Sequence, residues 1–168
     1  MTGFVIHALP VLRGILALSP LPGTGGDYAG DLAHLKDWQP AMVMTLATLA
    51  EMVAAGAGEL GHDVTHVGTR WVHLPVPDYG VPDAAGDARW RKAAPVALSA
   101  LRGGGRVLIQ CRGGCGRSGM ATLRLMITAG EAPESALARL RDVRPCAVET
   151  KAQMRWAMRD VGQSGAGG

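Results

Sequence analysis

The sequence has no apolar run long enough to cross a bilayer. Its longest charge-free apolar stretch, Ala41 to Ala50, is far shorter than the roughly 20 residues a spanning helix needs. The first residues are apolar without a basic leader and are interrupted by His7, Pro10 and Arg13, so neither a signal peptide nor an anchor is expected. Cysteine is scarce. Three in 168 residues, an odd count without repeated spacing, argue against a disulfide-built scaffold and fit a reducing cytosol. They also lack the spacing of a zinc site, and His62, His66 and His73 do not add one, so no metal is expected. Charge of one sign is nowhere concentrated: 17 basic against 14 acidic residues leave a net charge of +3, with the arginines scattered. That gives no nucleic-acid footprint, although it is compatible with an anionic substrate. No internal repeat or coiled-coil pattern is present.

What remains reads as a globular chain. Apolar residues make up 48% of the sequence, and its 24 glycines and 10 prolines are an enrichment below that of a disordered chain. The length suits one domain with a single good core, placed at 1–161, followed by a flexible tail at 162–168. Short β-branched runs predict strands at Val5-Ile6, Ile15–Leu18, Met42–Thr45, Val64–Val67, Val72–Val76 and Val107–Gln110. Between them, helices are expected at Asp27–Lys36, Leu46–Ala55 and Ala84–Leu101, the last started or kinked by Pro95. Further helices follow at Ser118–Ala129, Pro133–Val143 and Thr150–Val161. This alternation predicts an α/β fold: a central, mainly parallel sheet flanked by helices, with a helical C-terminal half and a site at the carboxyl end of a strand.

The stretch Cys111-Arg112-Gly113-Gly114-Cys115-Gly116-Arg117-Ser118 follows the apolar run Val107-Leu108-Ile109 and precedes Met120, Leu123 and Ile127 at helical spacing. It therefore joins a buried strand to a helix N-terminus. Unpaired N–H groups and the positive end of the helix dipole converge there, and the glycines allow the tight turn that aims them at one point. Such a loop holds an oxyanion without a metal. Arg117 adds a planar fork able to take two phosphate oxygens at once. The same positive field favours the thiolate of Cys111, which makes it a nucleophile facing whatever the cradle holds.

These residues resemble the signature of the cysteine-dependent protein phosphatases, the tyrosine and dual-specificity superfamily, and most of all the kinase-associated phosphatase and its bacterial relatives. Two other segments extend the likeness. Trp71 to Asp83 is similar to that group's general-acid segment, and Val148-Glu149-Thr150-Lys151-Ala152-Gln153 to the late segment that carries a water-positioning glutamine. The resemblance implies two-step hydrolysis of a phosphomonoester without a cofactor. Cys111 would attack phosphorus, while Arg117 and the loop from Arg112 through Gly113, Gly114, Cys115 and Gly116 hold the oxygens. Asp78 would serve as acid and then base, with Asp83 as the alternative, and Ser118 would donate to the departing thiolate. Gln153 and Glu149 would position water.

Each assignment has a plainer competitor. Pro77-Asp78-Tyr79-Gly80 is good turn chemistry, Asp83 can cap the next helix, and Thr150 with Gln153 forms a capping box. Gln110 replaces the histidine that usually precedes the nucleophile, and Glu149 stands where many relatives have glutamine. Cys115 reads best as a small apolar filler and Cys146 as a core residue; the other reading makes either one a disulfide partner for Cys111. Glu51 either pairs with a loop arginine such as Arg112 or faces water. Arg112 could attract a second acidic group of the substrate, although its side chain is expected to point outward. The expected function is a cytoplasmic, monomeric phosphatase of phosphorylated proteins, phosphotyrosine before phosphoserine or phosphothreonine. Neither membrane nor nucleic acid is an expected partner. The alternatives are a phosphatase of small-molecule phosphates, a non-catalytic phosphate-binding module, and a sulfur-transfer or redox enzyme.

Overall fold

The apolar strand runs are short and uninterrupted, a pattern that requires a sheet buried on both faces. The computed structural model, which describes residues 3–159, has such a sheet. Its strands are β1 (His7–Val11), β2 (Gly14–Ser19), β3 (Met42–Thr45), β4 (Arg70–His73) and β5 (Arg106–Gln110), in the order β1-β2-β5-β3-β4. β1 pairs antiparallel with β2 across a tight turn, and the other neighbours are parallel.

Alternation along the strands divides the core in two. Leu16, Leu18, Met42, Met44, Val107 and Ile109 face one side, while Ala17, Val43 and Leu108 face the other. Helices α4 (Ala84–Arg102), α5 (Gly116–Thr128), α6 (Pro133–Val143) and α7 (Lys151–Ala157) cover the first face. The second is covered by α1 (Tyr28–Asp37), α2 (Leu49–Ala54) and α3 (Leu60–Thr65). Parallel strands leave their carboxyl ends on one edge of the sheet. The connections leaving β3, β4 and β5 at that edge carry Glu51, Asp78 and Cys111.

Several expectations change, among them the strand foreseen at Val72–Val76, which is Arg70–His73, and the helix foreseen at Leu46–Ala55, which begins at Leu49. The strand foreseen at Val64–Val67 is the end of α3 and a turn: Val64 packs into the second core, and Thr65 bonds back to Gly61 O at 2.8 Å. The first strand begins at His7 rather than Val5, because its register is set by the tight turn onto β2. Pro95 lies inside the continuous helix α4 rather than starting it. The last helix, foreseen to run to Val161, ends at Ala157 with Met158 as its C-cap, and the tail at 162–168 lies outside the described residues.

Candidate active site

β5 ends at Gln110, and the chain turns through Cys111–Cys115 before α5 begins at Gly116. Gly114 makes this turn possible. Its φ is +72°, and a Cβ there would lie 2.6 Å from the backbone of Ser19 and Pro20. The carbonyls of four consecutive loop residues are each bound from outside the loop. Arg112 O accepts from Leu21 N at 3.3 Å, and Gly113 O from Arg144 Nη2 at 2.9 Å. Gly114 O accepts from Arg144 Nε at 3.0 Å, and Cys115 O from Gly119 N and Val148 N at 2.9 and 3.4 Å. Within a trans peptide plane the N–H points opposite to the C=O. The N–H groups of Gly113, Gly114, Cys115 and Gly116 therefore turn away from these partners and into the loop, a concave arrangement with the geometry to take an anion. Arg144 ends α6, and nothing in its local sequence marked it as a loop residue.

Cys111 is buried, its Sγ hydrogen-bonded with Ser118 Oγ at 3.2 Å. Arg117 is also buried, at 2% exposure. Its Nη1 donates to Glu51 Oε1 at 2.6 Å and to Val76 O at 2.9 Å, and its Nη2 donates to Glu51 Oε2 at 2.8 Å. The fork is thus fixed from one side, while Nε–H has no bond to a described residue. Glu51 is itself pinned by a capping box: Thr48 N and Oγ1 both donate to its Oε1 at 3.0 Å, and its own N–H bonds Thr48 Oγ1 at 3.2 Å. The hydrogen bonds from Arg117 hold the Glu51 carboxyl at a pKa of about 2, against the opposing effect of burial. Arg117 is raised in turn: burial works against its charge, and Glu51, Cys111 and Asp78 outweigh it. Glu51 therefore pairs with Arg117 rather than with Arg112 or water. Arg112 is exposed, as expected.

Asp78 lies at the mouth of the same cluster, 44% exposed, with Oδ1 3.3 Å from Arg117 Nη2. It sits in a turn closed by Gly80 N to Pro77 O at 2.8 Å, with Tyr79 at φ +61°. Asp83 is directed elsewhere, accepting from Gly86 N at 2.8 Å as the N-cap of α4.

No protein-family model and no curated relative matches the sequence. Solved structures do. A kinase-associated phosphatase whose catalytic-site cysteine is replaced by serine is similar over 100% of this chain and 99% of its own, with a TM-score of 0.82 and 23% identity. Tk-PTP in its active form is similar over 88% and 91%, with a TM-score of 0.70 and 26% identity. PTPMT1 in complex with PI(5)P is similar over 95% and 97%, with a TM-score of 0.74 and 18% identity. The chain has the tyrosine and dual-specificity phosphatase fold.

Within this phosphatase fold, Gln110 finds its partners away from the loop, and two cysteines differ from expectation. Gln110 does not serve the loop: it accepts from Thr45 Oγ1 at 3.3 Å and donates to Ser19 Oγ at 3.4 Å, closing a polar row across β3, β5 and β2. Cys115 and Cys146 are neither fillers nor partners of Cys111. They are bonded to each other as a disulfide, with Cα atoms 5.2 Å apart, and Cys111 is the free cysteine. Cys146 is exposed in the turn after α6, so it could not have been a core residue. Gln153 is buried and forms the capping box of α7 with Thr150. Its Oε1 also accepts from Glu149 N at 2.9 Å, and its Nε2 donates to Gly80 O at 3.3 Å, which ties the late segment to the Asp78 turn. A methyl group at Gly116 would strike the carboxylate of Glu149, so that charge lies against the first residue of α5.

Proposed function

We propose that the chain is a cysteine-dependent phosphomonoester hydrolase, one phosphatase domain over 1–161. The observation that carries this is the orientation of the loop. Four N–H groups turned inward by the bonds on their neighbouring carbonyls, a buried cysteine and a guanidinium fixed by Glu51 belong to one turn from β5 into α5. In the first step Cys111 Sγ forms a bond to phosphorus as the ester oxygen departs, and Asp78 gives its proton to that oxygen. The loop amides and Arg117 hold the equatorial oxygens as charge redistributes. In the second step a water attacks phosphorus and loses its proton to Asp78, and the sulfur–phosphorus bond breaks. Ser118 donates to the thiolate as it leaves, while Glu149 and Gln153 flank the start of α5 where that water would enter.

Phosphotyrosine on a protein is the preferred substrate, with phosphoserine and phosphothreonine next. The loop has no lysine, which weighs against a polyphosphorylated inositol, although PTPMT1 is seen with PI(5)P. No helix of the described residues is long and apolar enough to cross a membrane. Cytoplasmic residence remains part of the proposal, on the condition that Cys115 and Cys146 are kept as thiols or protected there, because disulfides are rare in that compartment.

A second reading is favoured by Gln110 and Glu149: a module that binds phosphate without turning it over. Hydrolysis of an aryl phosphate by wild type and Cys111→Ser separates the two. Loss of all turnover with that one-atom change supports the enzyme. A folded wild type with Cys111 reduced that binds phosphate without hydrolysing any ester supports the module.

A further inference from the structure

The loop's carbonyl partners come largely from one short segment. Arg144 holds Gly113 and Gly114, Val148 N reaches Cys115 O, and Cys146 between them is joined covalently to Cys115. That segment is shaped independently of the loop: Arg141 donates to Ala147 O and Val148 O at 3.0 Å each, and Val148 sits at φ +67°. It also presses on α5, where a Cβ at Gly119 would lie 2.6 Å from Val148 N. The disulfide therefore bridges a preshaped brace and the residue at which the anion nest becomes helix.

We propose that Cys146 is a positioning residue for the phosphate loop, and that anion affinity at the site depends on whether its bond to Cys115 is closed. The inference rests on the loop being the phosphate site; it does not need the chain to be catalytic. With the bond closed, residues 144–148 cannot withdraw, and the peptide planes after Gly113, Gly114 and Cys115 keep their N–H groups inward. With it open, Arg144 and Val148 hold the loop by hydrogen bonds alone, one of them long at 3.4 Å, and each plane gains freedom to turn. Cys146 is exposed and within reach of a soluble dithiol. One reductant thiolate attacks a sulfur of the bridge, and its second thiol resolves the mixed disulfide. Cys115 and Cys146 leave as thiols, and the reductant, oxidised by two electrons, leaves as a cyclic disulfide.

This dependence runs opposite to that of a nucleophilic cysteine, which reductant protects. The test is calorimetric binding of inorganic phosphate, with aryl phosphate turnover followed in parallel in oxygen-free buffer. Wild type is measured before and after dithiol treatment, with alkylation and mass spectrometry reporting the 115–146 link and a free Cys111. Cys146→Ser and Cys146→Ala are measured alongside. Opening the bond is expected to weaken phosphate binding about fivefold, close to the worth of one hydrogen bond. Both variants should show the weaker value with or without dithiol. Equal phosphate affinity in closed and opened wild type overturns the proposal, as does failure of the link to form in air. A thermal midpoint that falls in the variants while phosphate affinity holds also overturns it, since the bond would then only stabilise the fold. Redox-dependent phosphate binding without any turnover supports this proposal and refutes the enzyme reading.

Discussion

The carboxylate of Glu51 grips the guanidinium of Arg117 with both oxygens, at 2.6 and 2.8 Å. These residues are 66 positions apart in sequence, and the pair fixes the orientation of the buried guanidinium at the start of α5. Glu51→Ala leaves the Arg117 charge buried without its partner and is expected to cost about 3 kcal/mol of stability, the low end for breaking a buried pair. Glu51→Gln keeps one acceptor and should cost less. In both, KM for an aryl phosphate rises. Chemical denaturation and steady-state kinetics on the two variants check this.

The same pair sets an acid limit. Glu51 has a lower pKa in the folded chain, about 2, than its ordinary value of 4.5. Its stabilising contribution is therefore complete above about pH 4.5 and is lost as pH falls toward 2. Denaturant midpoints between these limits should fall more steeply for wild type than for Glu51→Gln.

Asp78 and Asp83 are separated by what they already bond. Asp83 is committed to Gly86 N, whereas Asp78 faces Arg117 at the mouth of the loop. Asp78→Asn should slow hydrolysis of alkyl or unactivated aryl esters by about a hundredfold or more, and of an activated aryl phosphate far less. Equal losses on both classes would remove Asp78 from the acid role.

Ser118 is fully buried beside Cys111. Ser118→Ala should slow breakdown of the phosphocysteine more than its formation, so an initial burst of phenol precedes a steady rate reduced about tenfold or more. Rapid-quench kinetics with an activated aryl phosphate reads both phases.

Glu149 brings a negative charge to the first residue of α5. Glu149→Gln removes that repulsion and leaves the backbone bond to Gln153 intact, so inorganic phosphate should inhibit the variant several-fold more tightly. Unchanged inhibition would mean that Glu149 is turned to solvent when anions bind.

How much of this was legible in advance depends on the range of each interaction. The alternation of short apolar runs with helical patterns predicted a parallel sheet covered on both sides, and the turn from β5 into α5 followed from residues within a few positions of one another. The Thr150–Gln153 capping box and the Asp83 cap were likewise local, and both formed. The strand expected at Val64–Val67 failed for a matching reason. A short apolar run suits either element, and packing against β4, where Gly61 lies against the Trp71 ring, selected helix.

The sequence by itself determined one turn, a cysteine and an arginine set around glycines between a strand and a helix, because strand, loop and helix start are encoded by neighbours in the chain. Only the tertiary structure decided what surrounds it. Glu51 pairs with Arg117 rather than with Arg112 or water, Gln110 is spent on Ser19 and Thr45, Arg144 turns the loop's carbonyls outward, and Cys146 closes on Cys115. Those partners are brought together by the order β2-β5-β3 and by the packing of α6 and α7 on α5, and no spacing along the chain encodes a distance across a sheet.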